Sequence, residues 1–102
     1  MESNNWRRYE AMYILKPDIE EEQYAQEIAR FEELVNQEGG RVEGIDEWGK
    51  RILAYEINHY EQGYYVLMSF AFDPAELPRL EERFKLDSAV LRHQIVRLDE
   101  ED

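Results

Sequence analysis

Residues Gly63 to Phe72, with the sequence GYYVLMSFAF, give the clearest secondary-structure signal in the chain. Apolar side chains recur at every second position, which is the period of a β-strand with one face turned toward a core. The residues that share this face are Tyr64, Val66, Met68, Phe70 and Phe72. The segment therefore predicts a central strand of a sheet, against which the other elements pack.

Upstream of this strand, the sequence predicts a strand followed by a helix. Arg8–Leu15 alternates between two sets of side chains, and Pro17-Asp18 ends the strand. Asp18 followed by Glu21 resembles a capping box, and Gly39-Gly40 ends the helix. The apolar residues of this helix recur at intervals of three and four, at Tyr24, Ile28, Phe31 and Val35.

The remaining segments predict a long strand, a short connection, a second helix and a last strand. Arg41–Ile57 predicts a long strand, and the glycine inside it, Gly49, indicates a bulge or a bend. Asn58–Gln62 predicts a short polar connection to the strand that follows. Asp73-Pro74 opens a second helix, and Val90–Leu98 predicts the last strand.

The order strand, helix, strand, strand, helix, strand is typical of the ferredoxin-like βαββαβ sandwich. This α+β fold has a four-stranded antiparallel sheet with two helices on one face. We also expect right-handed crossovers to place the first and third strands parallel in the centre, with the fourth and second at the edges. One domain spans residues 1–102, with a folded core at about 7–98 and an acidic tail at 99–102.

The sheet face away from the helices is left open in this fold. The apolar residues predicted on it are Met12, Ile14, Tyr65, Leu67 and Val96. Such residues either form a partner surface or are the scattered exposed apolar side chains that are common on proteins. Trp48, just before the glycine bend, either caps the core or docks a partner.

Charge and composition exclude several classes of protein. The chain has 24 acidic and 12 basic side chains, a net charge of −12, and no cysteine, which excludes disulfides and thiolate sites. No apolar run approaches the roughly 20 residues that cross a bilayer, so we expect a soluble cytoplasmic protein without a membrane partner. Acidic runs at Asp18–Glu38 and Asp99–Asp102 indicate a solvated helix face and a solvated tail.

Catalytic and metal-binding patterns are missing from the sequence. No nucleophile has an evident base, no glycine-rich phosphate loop follows a strand, and the two histidines, His59 and His93, lie far apart. His93 alternates with Leu91 and Ile95, which indicates a histidine on the core side. We therefore predict no catalytic residues, no metal site, no cofactor, no small-molecule substrate and no enzymatic activity.

Six cations fall on the predicted sheet rather than on the acidic first helix. They are Arg7, Arg8, Lys50, Arg51, Arg92 and Arg97. An antiparallel pairing of the last strand with the first brings Arg97 close to Arg7 and Arg8, whereas Lys50 and Arg51 follow an outer edge. These cations either contact RNA phosphates or balance neighbouring carboxylates, and their spacing alone favours the second reading.

Two segments carry a resemblance to a known family. They are Arg7-Arg8-Tyr9-Glu10, which opens the first strand, and Gly49–Ile57, with the sequence GKRILAYEI, which is followed by Gly63-Tyr64. From about Arg7 to Leu98 the chain resembles bacterial small-subunit ribosomal protein S6. It departs from the family pattern at Ile52, where members usually carry a polar residue, and at Glu56, where proline is frequent.

The resemblance implies a structural constituent of the small ribosomal subunit. Members of the family form a heterodimer with ribosomal protein S18, and the pair binds the central domain of the small-subunit ribosomal RNA. The resemblance thereby favours RNA contact for the six cations named above. We expect the partner to bind open-face residues and the tryptophan before the glycine bend, namely Met12, Ile14, Trp48, Tyr65 and Leu67. The basic partner would neutralise much of the phosphate charge.

Two other functions use the same order of elements. A free-standing RNA-recognition module spaces two aromatic residues two apart on its third strand. Here Tyr64 and Tyr65 are adjacent, so we expect them on opposite faces, where they cannot stack two bases from one side. A ligand-sensing domain of the ACT-like kind usually has an attached enzyme, and we expect none, since the chain ends soon after its last strand.

Overall fold

A computed structural model describes residues 5–98 of the chain, so the predicted acidic tail at 99–102 lies outside the described residues. The observed order of elements is the predicted βαββαβ order. The strands are β1 (Arg7–Leu15), β2 (Gly40–Ile57), β3 (Tyr60–Phe72) and β4 (Val90–Arg97). The helices are α1 (Glu21–Glu38) and α2 (Leu77–Leu86), with a short 3-10 turn, Pro74–Glu76, before α2.

The four strands form one antiparallel sheet in the order β2-β3-β1-β4. β1 and β3 are central neighbours, as expected, but the expectation that they run parallel is wrong. The helix α1 joins β1 to β2, and these are the two parallel strands of the βαβ unit. β3 lies between them and is antiparallel to both, which is why the unit is called split.

The core lies between the sheet and the two helices. The side chains predicted to face it from β1, α1 and β3 are buried, except Tyr64, which is half-buried against the core. The assignment of faces from the periodicity is therefore confirmed. Phe31 of α1 stacks on Phe84 of α2 at 4.2 Å between ring centroids, and Tyr13 of β1 contacts both rings. Burial of large aromatic side chains supplies much of the stabilisation of such a core.

The helix α1 begins two residues later than the Asp18–Glu21 capping box predicts. The backbone N–H of Glu20 donates to the side-chain oxygen of Gln23 at 3.1 Å, so Glu20 is the residue at the N-terminal cap. The predicted end is confirmed, because Gly39 closes the helix with a φ of 136°, a conformation that favours glycine.

The β2–β3 hairpin is tighter than the sequence indicates. Only Asn58 and His59 form the turn, both with positive φ, and β3 already begins at Tyr60. The prediction that the connection extends to Gln62 is therefore wrong. The bulge predicted at Gly49 is confirmed: Glu47 and Gly49 pair with consecutive residues of β3, so Trp48 is the extra residue.

A further irregularity in β2, which we call the Leu53–Glu56 bulge, was not predicted. Ile52 pairs with Gln62 and Ile57 with Tyr60, so the four residues of the bulge lie opposite the single residue Glu61. Within the bulge, Leu53 lies close to Gly63 and is only 7% exposed. The open face of the sheet is thus partly covered by its own second strand.

Candidate nucleic-acid and partner interface

The six predicted RNA-binding cations form two groups at opposite ends of the sheet. Arg7 and Arg8 begin β1, and Arg97 pairs with Tyr9 at the same end, which confirms the predicted proximity of these three residues. The second group comprises Lys50, Arg51 and Arg92, which lie toward the other end of the sheet. The nearest members of the two groups, Arg92 and Arg97, lie five residues apart on β4, a separation of about 17 Å.

Most of the arginines outside the second group are neutralised by carboxylates. Arg8 forms an ion pair with Glu43 at 3.1 Å, and Arg41 approaches the same carboxylate at 3.7 Å. On the helix side the arginines that form ion pairs are Arg30, Arg79 and Arg83. These pairs are partly exposed, so each contributes little to stability, but each offsets a positive charge.

Arg51 and Arg92 are held by aromatic rings instead. The guanidinium carbon of Arg51 lies 5.4 Å from the centroid of the Trp48 ring, and that of Arg92 lies 5.3 Å from the Tyr55 ring. Arg92 also donates to the hydroxyl of Tyr55. Within residues 5–98, neither arginine has a carboxylate within ion-pair distance, so both guanidinium charges are uncompensated.

The middle of the open face forms a shallow depression of about 220 Å³. Its lining is mostly apolar with one carboxylate, and comprises Glu10, Met12, Leu67, Gln94 and Val96. Met12 and Leu67 pair across β1 and β3 and are half-buried, as a docking surface requires. Ile14 points to the same face but is only 7% exposed, so it is removed from the accessible part.

Two aromatic residues predicted to bind a partner are in mutual contact. Trp48 and Tyr65 lie with their planes 10° apart and their centroids 6.3 Å apart, on the open side of β2 and β3. Trp48 is 40% exposed and therefore does not cap the core. Tyr64 lies on the opposite face, where it stacks on Tyr24 at 3.9 Å, so the predicted separation of the two tyrosines is confirmed.

An acidic pair lies on the helix side, away from these surfaces. Burial and a hydrogen bond to Asp87 raise the pKa of the Glu27 carboxyl, and Arg30, which contacts both carboxylates, offsets part of that effect.

Burial also raises the pKa of the Tyr13 hydroxyl, which has no hydrogen-bond partner within residues 5–98. His93 is half-buried on the core side, where it stacks on Phe84.

Sequence reasoning missed Tyr55 and Gln94 as members of this face. Tyr55 belongs to the unpredicted bulge, and its contact with Arg92 joins residues 37 positions apart, for which the sequence gives no local signal.

In the part of the chain that is described, no group of three or more histidine or acidic side chains is placed to hold a metal ion. No helix there is long and apolar enough to cross a membrane.

Comparison with known families identifies the chain's relatives. The family described as ribosomal protein S6 matches residues 8–97, which is nearly all of the chain. This chain belongs to the ribosomal protein S6 family. Its membership confirms the resemblance carried by the Gly49–Ile57 segment and makes the chain a ribosomal protein of the small subunit, which in bacteria works in the cytoplasm.

Individual S6 proteins are similar to the chain over most of their length. Small ribosomal subunit protein bS6 of Thermoanaerobacter pseudethanolicus is 48% identical over 94 residues, covering 92% of this chain and 99% of its own. The protein of the same name from Desulforamulus reducens is 44% identical over 91 residues, covering 89% and 96%. The crystal structure of 30S ribosomal protein S6 from Thermotoga maritima is 28% identical, with a TM-score of 0.87 over 91% of this chain and 88% of that one.

The two departures from the S6 pattern both lie at the surface. Ile52 is 79% exposed at the start of the Leu53–Glu56 bulge, so neither core packing nor the fold requires its side chain. Glu56 approaches the imidazole of His59 at 3.5 Å across the hairpin turn, away from Arg51 in the pairing. The negative charge of Glu56 is therefore directed to the turn and forms no ion pair with the cations of the second group.

Proposed function

We propose that this S6 protein acts without catalysis, as a single domain that binds the central domain of the small-subunit ribosomal RNA in a pair with ribosomal protein S18. Family membership supports the ribosomal role in general. The observation that carries the finer proposal is the division of the open sheet face. An apolar depression lies in its middle, and two uncompensated arginines lie at one end.

The depression around Met12 and Leu67 suits a protein partner. Both side chains are half-buried on a face that no helix covers, and Val96 beside them is 45% exposed. Burial of such apolar area is the main source of affinity at protein interfaces. Glu10 lies in the same depression, so a partner segment with a basic residue among apolar ones would match it in charge. A basic partner would also offset the net charge of −12.

The second group of cations suits RNA. Phosphate contacts rest on Lys and Arg side chains that are free to displace counterions from the backbone. Lys50, Arg51 and Arg92 have no carboxylate partner within residues 5–98, whereas Arg8 of the first group shares Glu43 with a neighbour. We therefore assign the stronger phosphate contact to the second group. The first group, about 17 Å away at its nearest member, provides a second and weaker contact.

The test is RNA binding by the co-purified pair with Lys50→Glu and Arg51→Glu combined. We expect the affinity for a central-domain fragment to fall at least tenfold. The dependence of log affinity on log salt should become shallower by about one unit per lost phosphate contact. The matched control combines Arg83→Glu with Lys85→Glu on α2, which makes the same change in charge on the helix side.

Three results distinguish the possibilities in this test. A loss of RNA affinity that is confined to the Lys50→Glu, Arg51→Glu variant supports the proposal. An equal loss in both variants means that total charge alone governs binding, which contradicts the assignment of the cations. If no S18 copurifies and the chain does not enter small subunits in cells, the proposed function itself is wrong.

A further inference from the structure

The five residues Trp48, Arg51, Tyr55, Tyr65 and Arg92 form what we call the aromatic–arginine patch. They lie on the open side of the sheet, at the end away from Arg7 and Arg8. Ile14 connects them, because it pairs with Tyr65 on one side and with Arg92 on the other. With strands about 4.8 Å apart, the backbones of Tyr65 and Arg92 are about 10 Å apart, the length of a short run of nucleotides.

We propose that this patch binds unpaired nucleotides of RNA, with a base stacked on the aromatic side chains and the flanking phosphates on Arg51 and Arg92. This inference rests on the proposed function and adds to it the kind of RNA and the atoms that recognise it. Aromatic rings and guanidinium planes stack on unpaired bases of any sequence, and the bases of a duplex are not available for such contacts.

The arginines of the patch are prepared for phosphate by their surroundings. Each guanidinium is held against an aromatic ring, and Arg92 uses one donor for the Tyr55 hydroxyl. An arginine has five N–H donors in a rigid fork, so most donors of both residues remain for a ligand. Among residues 5–98 no carboxylate pairs with either guanidinium. The nearby Asp46 instead accepts the indole N–H of Trp48 at 3.3 Å.

Charge also decides between RNA and protein as the occupant. The partner proposed for the depression is basic, matching Glu10 and the net charge of −12. A basic segment would be repelled by Arg51 and Arg92, which no carboxylate of the described chain offsets. An anion is attracted to the same two side chains. The open face is therefore divided between a protein partner in the middle and RNA at the hairpin end.

The experiment uses the full chain with Trp6→Phe, so that Trp48 is the single tryptophan and reports binding through its fluorescence. The probes are a single-stranded adenosine octamer and an RNA duplex of equal length, both at low salt. We expect the single strand to quench Trp48 and to bind at least tenfold more tightly than the duplex. Trp48→Leu, measured by fluorescence anisotropy of labelled octamer, should weaken binding about tenfold, in the range of one base–aromatic stack.

Arg51→Lys and Arg92→Lys provide a test that does not threaten folding. Lysine keeps the charge but loses the stacked fork, so we expect each variant to bind the octamer severalfold more weakly. Arg83→Lys on α2 is the matched control and should bind like the parent chain. Unchanged binding in both patch variants would mean that positive charge alone, without stacking or the guanidinium fork, accounts for the affinity. This result would overturn the inference.

The other outcomes are equally decisive. Equal affinity for the single strand and the duplex, or no binding of the octamer at all, overturns the proposal that the patch binds unpaired nucleotides. If Trp48→Leu weakens capture of S18 but leaves octamer binding unchanged, the patch belongs to the protein interface. In each of these cases ribosomal RNA binding by the pair can persist. Failure of the patch is then distinguishable from failure of the proposed function.

Discussion

Replacement of Gly63 by alanine tests how closely the bulged second strand packs on the sheet. A Cβ atom at Gly63 would lie 2.2 Å from Cγ2 of Ile14 and 3.4 Å from Cδ2 of Leu53. No real Cβ contact is as short as the first, so Ile14 must move. Ile14 and Leu53 are both only 7% exposed and both lie close to Gly63, so we expect the movement to displace the Leu53–Glu56 bulge from the open face.

Two opposing terms set the magnitude of the effect. Alanine is a better strand residue than glycine and restricts the unfolded chain, which favours the variant by up to about 1 kcal/mol. Overpacking of a buried site costs about 1–3 kcal/mol. We expect this cost to prevail, because the clash is with the buried side chain of Ile14. We expect a net cost of about 1–2 kcal/mol. At about 4–8 °C per kcal/mol for a chain of this size, this lowers the melting temperature by roughly 4–16 °C.

The assay is thermal and urea unfolding of Gly63→Ala beside two other glycine variants. Gly44→Ala is the matched control, because a Cβ there meets nothing within 4 Å, and it should stay within about 0.5 kcal/mol of the parent chain. Gly40→Ala should be the most destabilised. Its Cβ would lie 2.1 Å from the carbonyl oxygen of Ala71, a backbone atom that cannot turn away.

A double-mutant cycle identifies the cause. Ile14→Ala removes the clashing methyl group, so adding Gly63→Ala to it should cost little or restore some stability. The coupling should exceed about 1 kcal/mol, within the range for residues in contact. If Gly63→Ala has the stability of Gly44→Ala, or if its cost adds in full to that of Ile14→Ala, the described packing of the bulge on β1 is incorrect.

Three further predictions concern single side chains. Tyr13→Phe should raise the free energy of unfolding by about 1 kcal/mol in chemical denaturation, because it removes a buried hydroxyl without a partner; a loss of stability would mean that the hydroxyl is satisfied by water. The pKa of the Glu27 carboxyl is raised in the folded state, so its contribution to stability is full below its unfolded pKa and is lost as pH rises through its folded pKa. Glu27→Gln should therefore be more stable than the parent at pH 7, and the difference should vanish below about pH 4. A variant that is less stable than the parent at pH 7 would show that the ion pair with Arg30 prevails. Leu53→Ala should cost about 2–4 kcal/mol and increase amide exchange in β1 near Ile14, whereas Ile52→Ala, at an exposed neighbouring position, should change neither.

Much of the fold could be predicted because periodicity reports which side chains are buried. The alternation in Gly63–Phe72 and Arg8–Leu15 assigned the core face of the sheet, and Phe31 and Val35 assigned that of α1. Local chemistry was less decisive. Both Asp18 and Glu20 lie three residues before a polar partner, at Glu21 and Gln23, and the hydrogen bond to Gln23 shows that Glu20 is the cap.

The parts that could not be predicted depend on contacts between distant residues. Leu53, Tyr55 and Ile57 keep the period of a regular strand, so the sequence gives no sign that the residues between Ile52 and Ile57 leave the ladder. The pairing of Arg8 with Glu43, 35 positions away, is equally invisible. Sequence reasoning therefore named candidate cations for an interface but could not say which of them are neutralised.

The most direct test of the account is the affinity for a central-domain fragment of small-subunit ribosomal RNA, measured for this S6 protein alone and for the pair with S18. We predict that the pair binds at least tenfold more tightly than the chain alone and prefers this fragment to unrelated RNA of equal length, because the partner supplies the phosphate charge that a chain of net charge −12 lacks. Equal affinity of the chain alone and of the pair, or binding of both RNAs without preference, would contradict the account.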